Sequence, residues 1–78
     1  MSSIHDPRYQ KLIKELIRMR ELKNITQVEL ASSLKKSQSY IAKVENLDRR
    51  LDIIELLDWL SALQTSISDL LQKSEFKV

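Results

Sequence analysis

The chain contains no cysteine and no glycine, and only one proline and one histidine. Without cysteine there can be no disulfide staple and no thiolate zinc site. The lone histidine, His5, leaves no metal cluster, and no cofactor is expected; its place in the leader Ser-Ser-Ile-His-Asp-Pro suits a flexible terminal segment rather than a ligand. No apolar run approaches the ~20 residues that a bilayer-spanning helix needs. The N-terminus also lacks the apolar stretch of a signal peptide, so a cytoplasmic location and no membrane partner are expected. The missing glycines and the single Pro7 remove most turn and hairpin chemistry. No nucleophile–base pair, metal set or phosphate loop is visible, so the chain does not read as an enzyme.

What is present is charge with a direction. The 78 residues carry a net charge of +2, small in itself. Residues 1–51 hold eleven Lys/Arg against six Asp/Glu, whereas residues 52–78 hold two against five. A basic front with an acidic rear suits a molecule that turns one face to a polyanion. The length allows one domain with one core. A chain this short buries only about 60% of the surface its unfolded form exposes, so its stability is expected to be modest.

The apolar residues follow helical spacing throughout. Tyr9, Leu12, Ile13, Leu16, Ile17 and Met19 or Arg20 trace a stripe on a first helix from Pro7 to Lys23, with Asp6 as N-cap and Asn24 as the left-handed terminator. Thr26 and Glu29 have the spacing of a capping box, and Ile25 and Leu30 that of a hydrophobic staple, so a second helix begins at Gln27 and reaches Leu34. Ser37 caps a third helix from Gln38 to Asn46. Asp52 caps a fourth with apolar positions Ile53, Leu56, Leu57, Trp59, Leu60 and Leu63. Ser66 and Asp69 repeat the capping logic for a short fifth with Ile67, Leu70 and Leu71. Helical spacing assigns Trp59 to the core rather than to ligand stacking. The expected fold is all-α, a compact bundle of five helices: a leader at 1–6, a domain at 7–73 and a tail at 74–78.

The second and third helices are separated by about three residues, which favours a crossing near 90–120° over an antiparallel hairpin. Ala31 supplies the small side chain where the backbones meet, and Leu30, Leu34, Ile41 and Val44 the core of the pair. With this pair the chain resembles the lambda-repressor/Cro-like helix-turn-helix family, also called the XRE family. The resemblance is carried by Ile17-Arg18-Met19-Arg20, by Thr26 to Ala31, by Ser37 to Asn46 and by Ala62 to Leu71, in register over residues 11 to 71.

The resemblance implies a role for each matching position. Gln27, at a helix N-terminus that favours phosphate, would touch the DNA backbone and brace Gln38. Gln38, opening the recognition helix, would face base edges, since an amide pairs bidentately with adenine N6 and N7. Ser39 and Lys43 share that face. Tyr40 is left three roles: a phosphate contact, a thymine-methyl contact, or cover for the helix surface. Asn46 matches a backbone-contacting position, and Lys36, Arg49 and Arg50 could pair phosphates. Arg20 and Glu45 would form a structural ion pair locking the first helix to the end of the third.

Three residues depart from the family pattern. Lys35 stands where glycine is usual in the turn, at a cost of roughly 1 kcal/mol or more. Lys36 replaces an apolar residue and can lay its stem over the core. Leu47 replaces another glycine. The expected function is a transcriptional regulator binding double-stranded DNA as a homodimer on an inverted repeat, paired through Ile67, Leu70, Leu71 and Phe76. Phage-type repressors, restriction-modification controllers and antitoxins all use this format; a protein partner, toxin or RNA polymerase, is left open. The alternative is an interaction module that keeps the scaffold and dimerises without binding specific DNA.

Overall fold

The computed structural model describes residues 4–77; residues 1–3 of the expected leader and residue 78 of the expected tail lie outside them. Among the described residues there are five helices and no strand: α1 (Pro7–Leu22), α2 (Gln27–Leu34), α3 (Gln38–Glu45), α4 (Ile53–Ala62) and α5 (Ile67–Lys73). None is long and apolar enough to cross a membrane.

Every helix starts on a side-chain cap that satisfies an otherwise orphaned amide. Asp6 accepts from the Arg8 amide at 2.8 Å, Ser37 from Tyr40 at 3.1 Å and Ser66 from Asp69 at 3.1 Å. The Thr26–Glu29 box closes in both directions, at 3.0 and 2.8 Å. Asp52 and Glu55 form a second reciprocal box, at 2.7 and 2.9 Å, where Asp52 alone had been expected to act. It has the same three-residue spacing as Thr26–Glu29, so the signal was in plain view.

The helix ends are equally uniform. A residue with positive φ follows each helix in turn: Asn24, Lys35, Leu47, Gln64 and Glu75, all between 55° and 65°. The next amide then reaches back to a carbonyl five residues earlier: Ile25 to Arg20, Lys36 to Ala31, Asp48 to Lys43, Thr65 to Leu60 and Phe76 to Leu71, at 2.8–3.1 Å. This is the Schellman closure, built here five times without glycine. Asn24 and Lys35 are left-handed as expected. The first helix stops at Leu22 with Lys23 as its cap, and the third stops at Glu45 with Asn46 as its cap.

The core gathers Ile13, Leu16 and Met19 from α1, Leu30 and Ala31 from α2, Ile41 and Val44 from α3, Trp59 and Leu60 from α4, Leu63 after it and Leu70 from α5. Both Met19 and Arg20 are buried, so the stripe takes in both alternatives. Helix α2 packs on α3 and α4, and α1 on α3 and α5. Lys23 crosses from α1 to hydrogen-bond the carbonyls of Leu63 and Gln64, a cation at the negative end of α4.

Two expectations about apolar residues need correction. Leu70 is fully buried and forms core rather than pairing surface, because α5 lies on α1 and directs it inward. Phe76 is half-buried, with the Arg8 guanidinium 5.8 Å from its ring centroid. In α4, Leu56, Trp59 and Leu60 turn inward, whereas Ile53 is 64% and Leu57 46% exposed, with Ile54 beside them. The apolar positions of α4 cover more of the helix than its contacts can bury.

Candidate nucleic-acid interface

The short turn from Lys35 to Ser37 sets α3 against α2, with Ile41 and Val44 fully buried at the contact. The opposite side of α3 is therefore open. Gln38, Ser39 and Lys43 are exposed on it, Lys43 one turn beyond Ser39. Lys36, Asn46, Arg49 and Arg50 are exposed at the two ends of the helix, so the cations cluster around it.

Gln27, the first residue of α2, lies across from Gln38, the first residue of α3. The Gln38 Nε2 donates to Gln27 Oε1 at 3.0 Å. The Gln27 Nε2 donates in turn to Glu45 Oε1 at 2.8 Å. Glu45 takes two of the three guanidinium bonds of Arg20, at 2.7 and 3.0 Å, and the third goes to the Ile25 carbonyl at 2.8 Å. The side chains of Arg20 and Glu45 are only 10% and 6% exposed. The expected ion pair and the expected glutamine pair are thus one connected chain, running from inside the domain to the exposed start of α3.

Tyr40 is held from three sides. Its hydroxyl accepts the Trp59 indole N–H at 3.2 Å, its ring meets Trp59 edge-on at 6.2 Å, and Lys36 and Arg49 lie 5.4 and 4.8 Å from its centroid. Such placements carry cation–π attraction. The arrangement brings Lys36, Tyr40 and Arg49 together beside α3.

The model of the helix-turn-helix family matches residues 16–70. The chain belongs to that family, in its XRE form. Among solved structures it is similar to an XRE-family like protein from Pseudomonas syringae pv. tomato str. DC3000, at 44% identity over 92% of this chain and 90% of that one, with a TM-score of 0.82. No curated protein matches it. As a member, this XRE-type protein is a DNA-binding transcription regulator.

The XRE domain holds its α3–α4 connection by electrostatics that sequence reading missed. Arg49 makes two bonds to Glu55, at 3.1 and 2.9 Å, and one to the Arg50 carbonyl at 2.9 Å. The Arg49 hydrogen bonds, then the Asp52 amide, hold the Glu55 carboxyl below its ordinary value, and Arg49 is raised in return. Burial pushes the Tyr40 hydroxyl up despite the Trp59 bond, so it stays protonated near neutrality. The Leu51 amide donates to the Tyr9 hydroxyl at 3.2 Å, tying the same connection to α1. The Arg49–Glu55, Tyr40–Trp59 and Tyr9–Leu51 links join residues 6, 19 and 42 positions apart, and local spacing carries no sign of them.

Proposed function

We propose that this XRE-type protein is a sequence-specific transcription regulator that binds an inverted-repeat operator as a homodimer. Helix α3 enters the major groove with Gln38, Ser39 and Lys43 towards base edges. Gln27, Lys36, Tyr40, Asn46, Arg49 and Arg50 meet the sugar–phosphate backbone. The observation that carries this reading is the hydrogen bond between Gln38 and Gln27. It places a braced amide at the open end of α3 and a second amide at the N-terminus of α2, where phosphate is favoured. Tyr40 accepts from Trp59 and keeps its own O–H to donate to a phosphate. Exposed Ile53, Ile54 and Leu57 on α4, with Ile67 and Leu71 on α5, supply apolar surface for pairing. The format suits a phage-type repressor, a restriction-modification controller or an antitoxin.

Selection of bound duplexes from random DNA tests the whole reading at once. The expected result is a two-part site with halves about one helical turn apart, and affinity that falls linearly in log–log terms with salt. Binding that is salt-insensitive and enriches no sequence overturns it in favour of a protein-interaction module.

A further inference from the structure

The chain of side chains behind Gln38 has only one possible hydrogen-bond direction. Glu45 is a carboxylate facing a guanidinium, so it accepts and does not donate. The group that Gln27 turns to it must therefore be the amide nitrogen, which leaves Gln27 Oε1 facing outward. An outward oxygen accepts, so Gln38 has to offer its own nitrogen. The orientation of both amides follows from the acceptor-only chemistry at Glu45, and flipping either one sets oxygen against oxygen or nitrogen against nitrogen.

This leaves Gln38 with a defined face. One of its two Nε2 protons is committed to Gln27, so one donor and one acceptor remain for DNA. That pair matches adenine, which offers the N7 acceptor and the N6 amino donor. It mismatches guanine, whose O6 and N7 both accept, because Oε1 would then point at an acceptor. A free glutamine amide could turn both protons to guanine; a glutamine held by this chain cannot.

We propose that Glu45, though it lies behind the DNA-facing surface, is a specificity-determining positioning residue that sets adenine over guanine at the base read by Gln38. The proposal rests on the reading of Gln38 given above. Glu45 acts through Gln27, and the Arg20 bond holds the carboxylate in place. A neutral amide at position 45 could present oxygen or nitrogen to Gln27, so both directions would open.

The test uses duplexes from the random-DNA selection, with A·T or G·C at the position whose preference Gln38→Ala removes. Glu45→Gln should lower the adenine-over-guanine affinity ratio by about fivefold or more, the low end of what one bidentate amide–base pair discriminates. Gln27→Met leaves the Arg20–Glu45 pair intact and should lower the same ratio, on top of a weakening common to all sequences. Arg20→Lys keeps a cation on Glu45, so it should lower thermal stability while leaving the ratio unchanged. An unchanged ratio in folded Gln27→Met overturns the proposal, as does a ratio lost equally in Arg20→Lys, since Glu45 would then be purely structural. A wild-type chain that selects no sequence defeats the functional reading itself, and the proposal falls with it; selection with an unmoved ratio defeats the proposal alone.

Discussion

The indole N–H of Trp59, in the middle of α4, donates to the hydroxyl of Tyr40 on α3 across 3.2 Å. Trp59 is 1% exposed, so its polar atom has left water and depends on this partner. Helix α3 is therefore propped from beneath by a residue of the acidic half of the chain. Tyr40→Phe should strand the indole donor and cost about 1–3 kcal/mol. Thermal or denaturant unfolding reads the loss, and an unchanged midpoint would show that the bond contributes nothing.

Arg20 presents a harder dependence. Arg20→Ala leaves the enclosed Glu45 carboxylate with Gln27 but without its cation, and removing one partner of a buried pair costs about 3 kcal/mol or more. Arg20→Ala with Glu45→Ala should recover part of that loss. A double-mutant cycle in urea measures the coupling, and a coupling near zero would remove the pair from the account of how α1 holds α3.

Lys35 and Leu47 share a backbone conformation and should respond oppositely to glycine. Lys35 is exposed at φ 56°, so Lys35→Gly relieves the left-handed penalty and should gain about 0.5–1 kcal/mol. Leu47, at φ 65°, packs against the core, so Leu47→Gly gives up that contact and should lower stability. Denaturant midpoints of the two variants provide the comparison.

Acid should loosen the α3–α4 connection. The Glu55 carboxyl is lowered in the folded state by Arg49 and then by the Asp52 amide. A depressed folded value stabilises above the unfolded one and is lost as pH falls through the folded one. The contribution is thus present above the ordinary value of 4.5 and declines below it. Glu55→Gln should flatten that part of the stability–pH curve; an identical curve would place the acid sensitivity elsewhere.

On DNA the two kinds of contact should separate. Gln38→Ala should cost about 1–3 kcal/mol on the best site and relax one base position. Arg50→Ala should weaken all sequences alike and reduce the salt slope by about one. Competition binding at several salt concentrations distinguishes them.

Much of this was open to sequence reading because it is local. Asp6, Thr26, Ser37, Asp52 and Ser66 announce helix starts within three residues, and all five caps are made. Periodicity also placed Ile41, Val44 and Trp59 correctly. It could not tell which of two apolar sides a helix buries: Leu70 went inward and Ile53 outward because of where α1 and α2 lie, which is a property of the assembled bundle. Resemblance supplied the two side-chain pairs of the interface, Gln27 with Gln38 and Arg20 with Glu45. Their junction through Gln27 and Glu45 needs α2 and α3 in contact, as do the Tyr40–Trp59 and Arg49–Glu55 links.

The five left-handed helix ends also bear on the chain before it folds. A glycine at any of these ends would widen the denatured ensemble, and a Cβ-bearing residue in its place narrows it by about 0.4–1 kcal/mol where the native geometry tolerates the change. With no glycine at all, this polypeptide begins folding from a smaller set of conformations. The strain accepted at Lys35 and Leu47 is therefore offset in part by entropy that was never available to be lost. For a domain with so small a core, that balance lies as much in the denatured state as in any contact of the native one.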